Sequence, residues 1–264
     1  MIDLRDLRVT FNPGTPLETP VLRGVSLQIP AGQFATVIGG NGAGKSTLLN
    51  ALAGEVALAG GAIAIDGQDV TGWSVARRAR WVARVFQDPL AGTCAGLTVE
   101  ENLALAAARG QRRGLRPAIR LESRGEFRDQ LARLGLNLEG RLRDRMSLLS
   151  GGQRQAVSLL MATLRPMKIL LLDEHTAALD PKTAAFVLDL TRALVAERRL
   201  TALMVTHNLR QALDVGDRTV MLHQGRVVFD IAGAERARLD VPDLLRLFSE
   251  SQGEAVTDDE LLLG

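Results

Sequence analysis

Short runs of apolar and β-branched residues recur along the chain, separated by segments with helical periodicity. Several runs are continuously apolar rather than alternating, which is typical of strands in a sheet covered on both faces. Strands that alternate with helices predict an α/β fold with a parallel sheet. The predicted strands are 4–9, 25–29, 34–38, 62–65, 81–86, 169–172, 202–205 and 219–222. The predicted helices are 46–53, 99–108, 126–134, 153–164, 183–197 and 208–213.

Two departures from this alternation predict additional substructures. Turn-like residues at 30–33 and 66–68 join closely spaced early strands, which indicates an antiparallel β patch fused to the parallel sheet. Residues 88–150 contain no convincing strand, and glycine and proline residues interrupt their helical segments. We therefore expect an inserted helical segment in the middle of the chain.

Composition and charge narrow the class of protein. A chain of 264 residues that is 46% hydrophobic can bury a real core, which excludes a disordered protein. Aromatic residues make up only 3%, with no Tyr, which argues against an aromatic nucleic-acid surface. The net charge of +2 averages a basic stretch at 109–145 and an acidic tail at 249–264. The basic stretch is either a solvated face or a face toward anionic lipid or an acidic partner, and the tail is expected to be mostly exposed.

Signals for export or membrane insertion are not found. The single Cys94 cannot form an internal disulfide, and the N-terminus has no apolar signal core. The longest apolar runs fall short of the roughly 20 residues that cross a bilayer. We expect a soluble, cytosolic chain whose membrane role, if it has one, comes through a partner.

A phosphate-binding pattern follows the third predicted strand. Residues Gly39 to Ser46 match G-x-x-x-x-G-K-[ST], in which glycines let backbone N–H groups turn toward phosphate oxygens. The helix that begins near Lys45 adds its positive dipole end. Lys45 is predicted to reach the β- and γ-phosphates and Ser46 to ligate Mg²⁺. The loop comprises Gly39, Gly40, Asn41, Gly42, Ala43, Gly44, Lys45, Ser46 and Thr47. The alternative is a glycine-rich turn with an incidental lysine.

Two later strands end in residues that suit hydrolysis. Strand 169–172 runs into Asp173 and Glu174 at the carboxyl edge of the sheet, where open α/β sheets bind ligands. Asp173 is predicted to hold Mg²⁺ directly or through water, and Glu174 to act as the general base; a solvated loop start is the alternative. Strand 202–205 is followed by His207, which we expect at the same edge of the sheet. There it would contact the γ-phosphate or orient water; a purely structural role is the alternative.

With these sites in place, Leu149–Gln153 (Leu-Ser-Gly-Gly-Gln) resembles the signature of the ATP-binding cassette (ABC) family of transport ATPases. By its residues alone it is a serine-capped helix start. The family's conserved motifs also occur in the family's order, and the resemblance covers roughly residues 1–230. The landmarks are the phosphate loop, Gln87, the signature, Asp173 with Glu174, Asp180 and His207.

The resemblance implies an architecture. It is a P-loop NTPase core with a parallel sheet, an N-terminal antiparallel β subdomain and an inserted α-helical subdomain, all within one nucleotide-binding domain spanning 1–264. The core would comprise 1–87 and 151–230, the helical subdomain 88–150 and a C-terminal extension 231–264.

It also implies roles for individual residues. Gln87 matches a glutamine that ligates Mg²⁺ and senses the membrane partner. Ser150 and Gly152 match residues that contact the γ-phosphate of a nucleotide held by the opposite subunit, and Asp180 matches a loop linking the two sites of a dimer. The implied catalytic set is Glu174, His207, Gln87 and Lys45. The implied metal ligands are Ser46, Gln87 and Asp173. The implied nucleotide contacts beyond the phosphate loop are Phe11, Ser150, Gly151, Gly152, Gln153 and Asp180.

The implied cofactors are ATP and Mg²⁺. The implied partners are a second nucleotide-binding subunit, in a homodimer, a membrane permease and an extracytoplasmic substrate-binding protein, with no nucleic acid. The chain would lie at the cytoplasmic face of the inner membrane, held there by the permease. An importer of amino acids or related solutes is the leading interpretation. An exporter ATPase and a soluble regulatory ATPase are the alternatives, and a cassette that only binds ATP is disfavoured because Lys45, Asp173, Glu174 and His207 are all present.

Two residues depart from the family pattern. The family usually stacks adenine on a Tyr, and Phe11 is the predicted substitute. Glu174 is followed by His175, where most members have Pro. The variant resembles importer ATPases associated with tryptophan/tyrosine-type permeases. His175 would either modulate the catalytic role of Glu174 or have a structural role.

Overall fold

The computed structural model describes residues 1–111, 119 and 121–252. Their contacts form two compact units, one from Met1–Arg78 with the described part of Arg198–Gly264, the other from Ala79–Glu197. The strands are β1 (Ile2–Phe11), β2 (Thr19–Ile29), β3 (Phe34–Ile38), β4 (Gly60–Ile65), β5 (Gln68–Asp69), β6 (Val82–Val85), β7 (Ile169–Asp173), β8 (Thr201–Val205), β9 (Arg218–His223) and β10 (Arg226–Ala232). The helices are α1 (Lys45–Ala53), α2 (Val75–Arg78), α3 (Val99–Ala107), α4 (Leu121–Ala132), α5 (Gly151–Thr163), α6 (Pro181–Arg198), α7 (Leu209–Asp214), α8 (Gly233–Arg236) and α9 (Val241–Gln252).

An antiparallel sheet in the first unit confirms the predicted β patch. Its strand order is β2-β1-β4-β5, with Ile2 paired to both Ile29 and Ile65. Asp66 and Gly67 join β4 to β5 and both have positive φ, at 48° and 78°. A two-residue hairpin of type I′ needs positive φ at both positions, which explains why Asp-Gly occurs there.

Parallel strands form the core of each unit. In the first unit β3 lies between β8 and β9, parallel to both, with β10 added antiparallel to β9. In the second unit β6 pairs with β7 in parallel. Every residue of β3 and β8 is buried, as continuously apolar strands covered on both faces should be. The α/β fold with a parallel sheet is therefore confirmed.

The carboxyl end of α1 is held by a buried arginine. Arg78, 1% exposed, donates hydrogen bonds to the carbonyls of Ala51 and Leu52 in α1 and of Val70 and Thr71. Helix ends leave carbonyls without intrahelical donors, and this guanidinium supplies them. The anchor fixes the helix that follows the phosphate loop at the end opposite to that loop.

The helical segment of the second unit has its own apolar core. Val99 and Leu103 of α3, Phe127 and Leu131 of α4 and Leu160 of α5 pack together there. The described residues between 88 and 150 contain no strand longer than one bridge, between Thr98 and Arg145, as predicted. Gly114 and Pro117, two of the glycine and proline residues that are predicted to interrupt the helical segments, lie outside the described residues.

The boundaries and the C-terminus correct several predictions. Helix α4 begins at Leu121 rather than 126, and β5, β10, α2, α8 and α9 were not predicted. The segment predicted as an exposed tail, 249–264, begins inside α9, whose Leu244 and Phe248 repeat at helical spacing and pack against Ile38 and Met221. Residues 253–264 of that segment lie outside the described residues. Within the described ranges, no helix is both long and apolar enough to cross a membrane.

Candidate functional site

The phosphate loop joins β3 to α1 in a conformation that requires glycine. Gly39 has φ 144°, and a Cβ there would lie 2.1 Å from the carbonyl oxygen of Leu222. The helix α1 then starts after Gly44 without any side-chain cap on its N–H groups. By contrast, α3 and α5 begin with complete capping boxes. The uncapped N–H groups of α1 suit an anion, as the sequence predicts.

Lys45 is buried at the start of α1. It is 7% exposed, and its Nζ donates to the carbonyl oxygens of Gly39 at 2.6 Å and Gly40 at 2.9 Å. An ammonium group held by loop carbonyls beside an uncapped helix start creates strongly positive potential. These groups fit a triphosphate, because each of them favours a negative charge in the loop.

The register of the sheet brings His207 to the phosphate loop's edge. Val37 of β3 pairs with Val205 of β8 in parallel, so Gly39 and His207 each lie two residues beyond a paired position. His207 is exposed, and Asn208 beside it caps α7 through the backbone N–H of Gln211. The predicted position of His207 at the carboxyl edge, next to the loop, therefore agrees with the first unit.

Phe11 ends β1 and is 41% exposed. Its strand partner in β2 is Thr19, and two residues further along β2 the carbonyl of Val21 approaches the backbone at Gly44, 3.3 Å from an ideal Cβ position. The strand pair that carries Phe11 therefore adjoins the end of the phosphate loop. An exposed aromatic ring at this end of β1 is available for stacking.

In the second unit, parallel pairing aligns Gln87 with Glu174. Val85 of β6 pairs with Leu172 of β7. Gln87 follows Val85 by two residues, and Glu174 follows Leu172 by two residues. Gln155 of α5 donates from its amide to the carbonyl of Phe86 at 3.1 Å, which anchors the residue preceding Gln87. These two predicted site residues therefore leave the sheet at the same edge.

Asp173 forms an ion pair that sequence reasoning missed. The Nη2 of Arg84 on β6 lies 2.6 Å from Oδ2 of Asp173, with side-chain exposures of 10% and 14%. Arg84 was the sole charged residue in the predicted strand 81–86, which was the available signal. The amide oxygen of Gln87 and the carboxylate of Asp173 are hard oxygen ligands of the kind that Mg²⁺ prefers, and so, in the first unit, is the hydroxyl of Ser46. Any cation at Asp173 would share the carboxylate with the guanidinium.

The turn after β7 is strained and then anchored. Glu174 has φ 44°, a left-handed conformation that costs a non-glycine residue about 1–3 kcal/mol. His175 is 1% exposed, and its Nε2 lies 2.9 Å from Oγ1 of Thr191 in α6. Complete burial lowers the pKa of His175 to about 4, so the ring is neutral at physiological pH.

The signature residues and Asp180 are adjacent. Ser150 caps α5 by accepting from the backbone N–H of Gln153, whose side chain accepts from the N–H of Ser150. Asp180 caps α6 through the N–H of Thr183, and hydrogen bonds from Thr183 lower the pKa of Asp180. A Cβ at Gly152 would lie 2.0 Å from Cγ2 of Thr183. The second glycine of the signature is therefore required for contact with α6.

Replacing Gly152 by Ala is expected to destabilise the protein by about 1–3 kcal/mol, because the new methyl group overlaps Thr183. The double variant G152A/T183S, which removes that methyl of Thr183, should recover most of the loss. Gly140→Ala is the matched control, since a Cβ there meets nothing within 4 Å. Urea midpoints measure all three. Equal midpoints for G152A and G140A would contradict the predicted overlap.

Comparison with known proteins decides the family. The model of the ABC transporter family matches residues 22–177. The chain belongs to the ABC transporter family. It is 43% identical to a tyrosine transport ATP-binding protein of Clostridioides difficile, over 94% of this chain and 98% of that one. It is 37% identical to the thiamine import ATP-binding protein ThiQ of Yersinia pestis, over 81% and 85% of the two chains.

A solved ABC structure has the same fold. The ATP-binding cassette MJ0796, determined as a dimer in a post-hydrolysis state with ADP and Pi, matches with a TM-score of 0.75 and 28% identity. The match covers 88% of this chain and 98% of that one. This ABC protein is thus an ATP-binding and ATP-hydrolysing subunit of a transporter, as the motifs predict.

Proposed function

We propose that this ABC subunit powers an importer whose cargo is an amino acid of the tyrosine class. The main support for this proposal is the 43% identity to the tyrosine transport ATP-binding protein, which extends over almost the full length of both chains. Relatives that carry the word import in their names, for thiamine and for methionine, support import rather than export. The exporter and soluble-ATPase alternatives have no comparable observation in their favour.

The proposed assembly has four kinds of component. Two copies of the chain form a homodimer, as the dimeric relative supports. Each copy docks on a membrane permease at the cytoplasmic face of the inner membrane, and an extracytoplasmic binding protein delivers the cargo. Within each copy we assign 1–87 and 151–230 to the catalytic core, 88–150 to the permease-facing helical subdomain and 231–264 to the C-terminal extension.

ATP binding is assigned to the first unit's loop. Backbone N–H groups from Gly39 to Thr47 surround the phosphates, and Lys45 transfers its hydrogen bonds from loop carbonyls to phosphate oxygens. The ring of Phe11 stacks on adenine. Ser46, Gln87 and Asp173 would hold Mg²⁺, which would neutralise the charge that develops on the phosphates.

Hydrolysis is assigned to Glu174, which accepts a proton from the attacking water. His207 and Gln87 orient that water and the γ-phosphate. Ser150 and Gly152, at the start of α5, contact the nucleotide of the opposite copy. Gly152 of the signature packs against Thr183, whose backbone N–H donates to Asp180. A movement of the Asp180 loop would therefore also displace the signature.

Reconstitution with the permease tests the proposed direction and cargo. Proteoliposomes that contain the transporter should accumulate labelled tyrosine when ATP is supplied on the side of this subunit, with the binding protein on the opposite side. Vesicles that carry the Glu174→Gln subunit serve as the control and should not accumulate it. Movement of tyrosine toward the opposite side would refute import, and uptake without ATP would refute the role of this subunit in powering it.

Replacing Phe11 by Ala should weaken ATP binding by about 1–3 kcal/mol, because base–aromatic stacking of this size is lost. Phe186→Ala is the matched control, since this Phe in α6 is 38% exposed and lies in the other unit. Phe11→Trp should retain the affinity. Fluorescent nucleotide titration measures all three, and unchanged affinity in F11A would mean that another residue holds the base.

A further inference from the structure

Glu174 occupies a turn that must be held from outside. Its φ of 44° lies in the left-handed region, which a glutamate keeps only when its surroundings impose it. Its carbonyl accepts from the N–H of Ala177 at 2.9 Å, which closes the turn locally. Strand β7 fixes the residues before Glu174, and a contact made by the residue after it would hold the turn from the other side.

His175 makes such a contact. Its Nε2 lies 2.9 Å from Oγ1 of Thr191, and that hydroxyl donates to the carbonyl of Val187 at 2.8 Å. Because the hydroxyl proton is used on Val187, Oγ1 accepts from Nε2–H, which sets the tautomer of the ring. The residue next to Glu174 is therefore tied to the middle of α6, 16 positions further along the chain.

The other ring nitrogen shows that packing alone does not explain an imidazole here. Nδ1 of His175 is buried and has no hydrogen-bond partner within the part of the chain that the structure describes. A buried polar atom without a partner is unfavourable, and a leucine of similar size would avoid it. The stabilising contribution of His175 is thus concentrated in the single bond from Nε2 to Thr191.

We propose that the His175–Thr191 hydrogen bond positions the Glu174 carboxylate for catalysis. The inference rests on the proposed role of Glu174 as general base. His175 and Thr191 contact neither nucleotide nor water in this scheme and act only through the backbone of Glu174. Both are positioning residues, so their loss should lower kcat while ATP affinity is kept.

The first test compares two replacements of His175. Leucine fills the space without the donor, whereas glutamine places an amide N–H near the position of Nε2. His175→Leu should lower kcat for ATP about tenfold or more, with the Kd for ATP within about twofold of wild type. His175→Gln should recover at least half of the wild-type kcat. The Kd is measured separately without divalent cations, where turnover does not interfere.

The second test removes the other end of the bond. Thr191→Val should reproduce the effect of His175→Leu, and Thr191→Ser should restore activity. The double variant H175L/T191V should be no slower than either single variant, because both remove one interaction. Thr163→Val is the control for loss of a buried hydroxyl that donates to its own helix, here α5, and should leave kcat unchanged.

Three results would overturn the proposal. They are wild-type kcat in H175L, additive losses in the double variant, and a fall in melting temperature with kcat per folded molecule unchanged. Failure of the general-base assignment is distinguishable from these. In that case E174Q would turn over like wild type, whereas failure of the positioning role alone leaves E174Q inactive and H175L active.

Discussion

Replacing Glu174 by Gln is expected to lower kcat for ATP hydrolysis by about a hundredfold or more, with ATP still bound. Glutamine keeps the size of the side chain and cannot accept a proton from water, and loss of a general base typically costs about 10²–10⁴-fold. Bound ATP that is not hydrolysed should hold two copies together. Size-exclusion chromatography with ATP should therefore show a stable dimer, and a coupled phosphate assay should show the loss of turnover.

Glu197→Gln is the matched control for this variant. Glu197 also lies in the second unit and pairs with Arg133 at 2.6 Å, but both side chains are about half exposed. Exposed ion pairs contribute little to stability, so E197Q should match wild type in turnover and dimer content. Wild-type turnover in E174Q would remove Glu174 from the mechanism and leave its left-handed backbone without a catalytic explanation.

Replacing Lys45 by Met should weaken ATP binding by about 10- to 100-fold. Charge-assisted hydrogen bonds to phosphate contribute about 1.5–3 kcal/mol, and the methionine retains the buried stem without the ammonium. Lys45→Arg should not rescue binding, because a planar guanidinium does not fit a site built for a compact charge. Isothermal titration with ATP measures the affinities.

The control for Lys45 is Lys168→Met. Lys168 is exposed and immediately precedes β7, at the end of that strand opposite to Asp173. Its replacement should leave the Kd for ATP unchanged. Because the Nζ of Lys45 also donates to the carbonyls of Gly39 and Gly40, K45M is expected to lower the melting temperature as well. Wild-type ATP affinity in K45M would refute the assignment of the phosphate site.

Elements with strong local patterns were predictable from the sequence. The buried strands β3 and β8 appear as continuous apolar runs, and the structure starts β3 at Phe34 and ends it at Ile38, as predicted. By contrast, β5 has only two residues and its partner in β4 decides that it is a strand. Likewise, α9 could be recognised as a packed helix only once Leu244 and Phe248 were seen to contact Ile38 and Met221.

The sequence by itself predicted the chemistry of the phosphate loop, and it determined the serine cap of the signature and the order of the ABC landmarks. The loop and the cap depend on spacing within a few residues, because backbone φ, helix caps and strand ends are local properties, and the order of the landmarks follows directly from the linear sequence. Only the tertiary structure decided that Arg84 pairs with Asp173, that Thr183 excludes a side chain at Gly152 and that Thr191 holds His175. Those partners lie 16 to 89 positions apart, and their meeting depends on how strands and helices pack, which no local pattern encodes.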